Sequence, residues 1–277
     1  MSFKRRSWMA VIFTISVLLL ASGSWAGSGQ LMLATTTSTD NTGLLDYLIP
    51  EFIKDAGIEL KWVATGTGKA LKLGQNCDVD VLMVHAPPAE KKYVVNGFGM
   101  DRREIMYNDF VIIGPAADPA GIKGKKIDAA LAAVKSKKAV FVSRGDNSGT
   151  NKKEKLLWKT AAIPLPEKEN WYVQTGQGML ATINVAAERG GYTMTDRGTY
   201  IKYEANFKGN PPLKILVEGD AILLNQYSVM TVNPGNCKNV KVKLAEKFAD
   251  WITSARAQEK IGDFRLMGKQ LFTPNAR

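Results

Sequence analysis

From Leu31 onward, short runs of apolar and β-branched residues alternate with stretches whose apolar positions recur at helical spacing. Residues 31–34 predict a strand, followed by a Thr/Ser loop. Leu44, Leu45, Leu48, Ile49, Phe52 and Ile53 then mark one face of a helix over 44–56. Residues 59–64 predict a strand, 65–68 a turn, 69–73 a short helix and 79–84 another strand, and Pro87 opens a helix through Asn96. This alternation predicts an α/β protein with parallel sheets and flanking helices. Two extended runs are longer: residues 105–115, closed by Gly-Pro, and residues 223–234, closed at Asn233-Pro234. Between them lies a self-contained set of elements, with strands clearest at 139–143 and 192–195, and after them 242–254 is an amphipathic helix. A chain that leaves one lobe, builds a second and returns makes a cleft bridged by two crossover strands. The expected division is lobe I at 27–107 and 230–277, and lobe II at 108–229.

The N-terminus sets the compartment. Lys4, Arg5 and Arg6 precede an uncharged, mostly apolar stretch at 8–21, and Ser24-Trp25-Ala26 has the small-x-small pattern of a cleavage site. The apolar stretch is shorter than the roughly 20 residues a membrane span needs. Residues 1–26 therefore read as a signal peptide cleaved near Ala26; without a nearby Cys for lipid attachment, the rest is expected free in a periplasm. An apolar share of 45% fits a globular chain with two cores. Net charge is +11, of which the three basic residues of the leader leave +8. That balance suits steering of an anion, though scattered lysines are also ordinary surface. No nucleic-acid-binding motif accompanies them. Cys77 and Cys237 would meet an oxidising environment, but the sequence leaves open whether their geometry permits a bridge. A single histidine, His85, rules out a His-rich zinc or copper site, and no cofactor is expected.

Four segments place hydroxyls and glycines just before a helix: Thr35-Thr36-Thr37-Ser38, Thr65-Gly66-Thr67-Gly68, residues 143–150 and Thr175-Gly176-Gln177-Gly178-Met179. Helix starts offer unpaired N–H donors and a positive dipole end to an anion, and glycine permits close approach. Any one such loop is more often a simple helix cap; four together, two per expected lobe, point to an oxyanion site. Arg144 follows an apolar strand and precedes Ser148-Gly149-Thr150, where a guanidinium can grip an oxyanion with charge-assisted hydrogen bonds. Asp146 would orient it; the bland alternative is an Arg144–Asp146 turn brace. Catalysis fits poorly: there is no Gly-x-Ser-x-Gly elbow, no P-loop, and no nucleophile paired with His85. The chain reads as a binding protein rather than an enzyme, with a secreted hydrolase as the alternative from a different class.

The strings ATTTSTDNTGLLD, ATGTGKALKLG, DVDVLMVHAP, MYNDFVIIGPAADPAGIKG, SRGDNSGTNKKE, TGQGM and YTMTDRGTY together resemble the tungstate-specific substrate-binding proteins of Tup-type ABC transporters. The likeness runs through WITSARAQEKIGDFRLMGKQLF near the C-terminus, so it spans nearly the whole chain after the leader. It implies a two-lobe periplasmic-binding-protein fold, type II-like, with tungstate or alternatively molybdate or phosphate as ligand. It also implies an inner-membrane ABC permease as partner and a monomeric receptor. By likeness to the Arg-x-Asp-x-Ser-Gly-Thr loop of phosphate receptors, it implies Arg144, Ser148, Gly149 and Thr150 as ligand contacts. Thr35, Thr36, Thr37 and Thr67 follow from the first-lobe loops. Asn151 departs from the His expected in relatives, and the cysteine pair is a feature of this member. His85 stands where phosphate receptors carry an Asp that accepts a proton from their ligand. Tungstate has no proton to give, so His85 would remove a repulsion there.

Overall fold

A computed structural model describes residues 29–277, so the expected leader at 1–26 and its cleavage point lie outside the described residues. β1 (Gln30–Thr36) runs into α1 (Thr37–Asp40) and α2 (Leu44–Ala56), followed by β2 (Glu59–Thr65), α3 (Thr67–Gln75), β3 (Val81–Val84) and α4 (Pro87–Val95). β4 (Gly99–Pro115) leads to α5 (Ile127–Lys137), β5 (Phe141–Ser143), α6 (Gly149–Thr160), β6 (Tyr172–Gln174), α7 (Met179–Glu188), β7 (Thr193–Asp196), α8 (Arg197–Asn206) and β8 (Leu213–Val217). A 3-10 turn precedes β9 (Leu224–Val232), and α9 (Val242–Thr253), α10 (Ala255–Asp263) and the short β10 (Arg265–Leu266), β11 (Lys269–Gln270) and β12 (Thr273–Pro274) complete the chain.

β1 explains why the first lobe is layered. Leu31 and Leu33 point into one apolar cluster with α2 and α9, and Ala34 into another with α3. A strand buried on both faces belongs inside a parallel sheet, and β1 indeed pairs in parallel with both β2 and β3. The sheet order is β12-β4-β9-β3-β1-β2, with β9 and β12 antiparallel to their neighbours. The far end of β4 pairs instead with β7 and β8, and the parallel β5–β6 pair adjoins through a bridge between Phe141 and Tyr192. The second lobe thus has its own sheet and its own core, centred on Trp158, Phe141 and Tyr192.

β4 is one continuous crossover. Residues up to Asp109 pair with β9, whereas Phe110 pairs with Asp196 of β7. The return falls earlier than the expected residue 230. β9 joins the first lobe's ladder at Leu224, opposite Asp109, and Tyr227 and Val229 lie in the first core, while Leu223 lies in the second. No Gly or Pro punctuates this boundary, because the strand runs from one lobe into the other without a turn. Cys77 and Cys237 form a disulfide with Cα atoms 5.3 Å apart, tying the lobe's early segment to its late one. Helix α8 straddles the lobes: it follows β7, yet its Ile201 packs in the first lobe's core. Lys202 beside it bonds the Asn41 carbonyl, and Glu204 pairs with Lys269. No helix among the described residues is long and apolar enough to cross a membrane.

Candidate functional site

The second-lobe loop is built by turn chemistry. Gly145 and Asn147 both adopt left-handed backbone, at φ 63° and 58°. A Cβ on Gly145 would also lie 2.8 Å from that of Gln174, so glycine is required there twice over. Ser148 caps α6 by accepting from Asn151 N at 3.3 Å, and Asp146 Oδ1 accepts from Ser148 N at 3.1 Å. Among the described residues, the amides of Gly149 and Thr150 and the Thr150 hydroxyl have no partner. They stand at the positive end of a 12-residue helix. Arg144 donates through Nε and Nη2 to Asp146 Oδ2 at 3.1 and 2.5 Å, which leaves Nη1 for another acceptor. Burial opposes the Asp146 charge, but the Ser148 hydroxyl and amide and the Arg144 guanidinium outweigh it and hold the carboxyl below its ordinary range. Thr175 N and Gly176 N donate to the carbonyls of Ser143 and Arg144, so the TGQGM loop braces this one.

Beneath the loop lies Glu154, buried and without a cationic partner among the described residues. It accepts from Ser143 Oγ at 2.5 Å, Tyr172 OH at 2.6 Å and Trp158 Nε1 at 3.1 Å. Burial pushes its carboxyl above the usual range. Ser143 Oγ in turn accepts from Asn151 Nδ2 and Gly145 N, and Asn151 Oδ1 accepts from Asn147 N. One carboxylate therefore shapes the whole turn that carries Arg144.

In the first lobe, the three expected threonines separate into different roles. Thr35 is fully buried and its hydroxyl donates to the Met83 carbonyl inside the sheet. Thr36 caps α1 and is bonded to Ser38, Thr39 and His85. Thr37 is exposed, and its hydroxyl and amide have no partner among the described residues. Ser38, named in the sequence only as part of its loop, bonds His85 Nε2 at 3.0 Å. Thr67 opens α3 at the same sheet edge, since Thr65 lies beside Thr36, and its hydroxyl also lacks a partner among the described residues.

The two sets of loops face each other. A Cβ on Gly149 would come within 3.9 Å of His85 Cε1, so the lobes meet at this point. His85 is stacked on Tyr227 at 4.7 Å, and its Nδ1 lies 2.9 Å from Asn225 Oδ1. Burial keeps the His85 pKa below the ordinary value, against the Asn225 hydrogen bond and the Asp196 charge. Asn225, Asn108 and Glu154 carry no local sequence signal. Glu154 sits among lysines in α6, and Asn108 and Asn225 each stand beside another polar residue; only the fold gives them these partners. A groove of about 390 Å³ lies at the crossover, lined by Tyr107, Asp109, Arg197 and Leu224 among others. Its Arg197 is already bound by Asp109 at 2.6 Å twice over and by Glu218 at 2.6 Å, so an anion there would compete with two carboxylates. Arg144, with one acceptor, is the freer cation.

The chain is similar to known proteins over most of its length. Residues 21–256 match the model of a PBP superfamily domain. The "Tungstate-binding protein TupA" of Campylobacter jejuni is 53% identical over 240 residues, covering 87% of this chain and 89% of that protein. The solved structure of the tungstate-binding protein TupA from Desulfovibrio alaskensis is 70% identical, with a TM-score of 0.87 over 90% of this chain and all of that one. A structure described as the tungstate ABC transporter from Geobacter sulfurreducens is 47% identical, with a TM-score of 0.75 over 85% of this chain and 98% of that one. The two lobes, the crossover strands and these likenesses agree, and the chain belongs to the PBP superfamily and, within it, to the family of the TupA tungstate-binding proteins.

Proposed function

We propose that this chain is the tungstate-capturing receptor of an ABC transporter, holding one tetrahedral dianion between its lobes and presenting it to an inner-membrane permease. The observation that carries the reading is the meeting of two donor-rich loops at one point. The α6 amides, the Thr150 hydroxyl and the spare Nη1 of Arg144 lie on one side. Thr37 and Ser38 lie on the other, beside His85. Donors of this kind replace the hydration shell of an oxyanion without a counter-ion or cofactor. The contacts proposed are Arg144, Ser148, Gly149 and Thr150 from lobe II, with Thr37, Ser38 and Thr67 from lobe I, and Thr36 behind them, bonded to His85 and Thr39. Thr35 supports them from inside the sheet.

Ligand contacts made to both lobes at once exist only when the cleft is shut, so binding shifts the population toward the closed form that a permease would read. Rejection of sulfate would follow from cavity size, whereas molybdate has nearly the same shape and charge as tungstate, so preference between those two rests on family membership. The receptor acts as a periplasmic monomer released from its leader near Ala26. Calorimetric titration with tungstate, molybdate, sulfate and phosphate tests the proposal. Tight one-to-one binding of tungstate, with sulfate and phosphate far weaker, is expected. Equal or better binding of phosphate would overturn it, as would cleavage of a phosphate or carboxylate ester by the protein.

A further inference from the structure

The histidine at the lobe junction belongs to a closed hydrogen-bond circuit that reaches the hinge. Asn108 and Asn225 sit opposite each other on the two crossover strands. Asn225 Nδ2 donates to Asn108 Oδ1 at 2.7 Å and to Tyr227 OH at 3.3 Å. The carbonyl end of Asn225 therefore faces His85 Nδ1 at 2.9 Å, and a carbonyl there needs a proton on that nitrogen. A neutral ring protonated at Nδ1 has a bare lone pair at Nε2. Within reach of that lone pair are the hydroxyls of Ser38 at 3.0 Å and Thr36 at 3.1 Å. Thr36 Oγ1 already accepts from Thr39 N at 3.3 Å and lies 2.7 Å from Thr39 Oγ1.

Resting on the oxyanion-binding reading above, we infer that His85 is the positioning residue of the cleft. The crossover-strand residue Asn225 holds it as the Nδ1–H tautomer, and its Nε2 accepts the Thr36 hydroxyl proton. Thr39 donates to Thr36, and Thr36 donates to His85. The Ser38 proton is then left to point at a ligand oxygen. The circuit gives the first-lobe donors a fixed polarity before any anion arrives, so little reorganisation accompanies capture. It also makes donor polarity depend on the pairing of the two crossover strands. Any distortion of the Asn108–Asn225 pair loosens the ring and, through it, the hydroxyls. With a proton on Nε2 the chain would run backwards and the Thr36 hydroxyl would have to turn.

The protein has one histidine, so its ring nitrogens can be read without assignment. Two-bond nitrogen–proton correlation spectra of the full chain, uniformly labelled, are expected to show the Nδ1–H pattern with and without tungstate. Asn225→Ala is expected to release the ring so that the Nε2–H form appears. By calorimetry, His85→Phe keeps the stack on Tyr227 but leaves the Thr36 hydroxyl without its acceptor and free to compete for Ser38, and should bind tungstate about tenfold more weakly or worse. His85→Gln places an amide oxygen near the Nε2 position and should recover most of that loss. An Nε2–H pattern in the wild-type protein, or His85→Phe binding as tightly as wild type, would overturn the inference. Failure of the wild-type protein itself to bind tungstate would instead strike the oxyanion reading, and the tautomer spectrum would still decide the circuit.

Discussion

The two lobes reach similar layered cores by different routes. Lobe II is one continuous stretch of chain whose site loop is shaped from within by Glu154. Lobe I is assembled from the two ends of the chain, with all of lobe II inserted between them, and its early and late segments are held by a bridge spanning 160 residues. The comparison teaches where each lobe is vulnerable. Lobe I depends on closing a long loop, whereas lobe II depends on satisfying a buried carboxylate.

Removing the bridge should have the largest effect. Replacing Cys77 and Cys237 by Ala restores loop-closure entropy worth up to about 5 kcal/mol for a loop of this length. In urea, Trp62 and Trp251 should report the first lobe unfolding early while Trp158 and Trp171 in the second hold. Unchanged stability would show that lobe I does not need the staple. Next in size, Glu154→Leu strands the donors of Ser143, Tyr172 and Trp158. It should cost lobe II about 3 kcal/mol, read as an earlier Trp158 and Trp171 transition, with tungstate binding weakened as the turn loosens. Of somewhat smaller size, Ile201→Ala removes a second-lobe side chain from the first core at a cost of about 2 kcal/mol. It should widen the gap between the two lobes' transitions; coincident transitions would show that α8 does not couple them.

The smallest effect is a pH dependence confined to lobe I. Burial lowers the His85 pKa in the folded chain, so below the unfolded value near 6.5 the unfolded state takes up the proton more readily. The stability from a neutral His85 is complete above that value and declines as pH falls beneath it. Thermal unfolding of wild type and His85→Gln between about pH 5 and 8 should therefore show a steeper acid decline for wild type. Parallel profiles would remove His85 from the account.

Much of this was legible in the amino-acid order, and the exceptions have physical causes. The helix at 44–56 and the extended run ending at Gly114-Pro115 are visible because apolar spacing and Pro/Gly punctuation act locally. Arg144 and the Ser148 cap stood out because turn and cap chemistry is also local. The point where the chain returns to the first lobe was not legible because residues 224–229 mix Asn225, Gln226 and Ser228 with apolar neighbours and carry no turn residue to mark the change of lobe. The different fates of Thr35, Thr36 and Thr37 depend on strand register and neighbouring carbonyls, which one sequence does not reveal. The ties from Glu154 to Ser143 and from Asn225 to His85, 140 positions away, exist only once the sheets have formed.

The most direct test of the account is tungstate titration of Arg144→Ala beside wild type, with circular dichroism confirming that both are folded. Loss of a charge-assisted contact in a closed cleft should weaken binding by about 100-fold or more, roughly 3 kcal/mol. Binding by the folded variant at wild-type affinity would contradict capture between the second-lobe loop and the first, and would move the site elsewhere in the molecule.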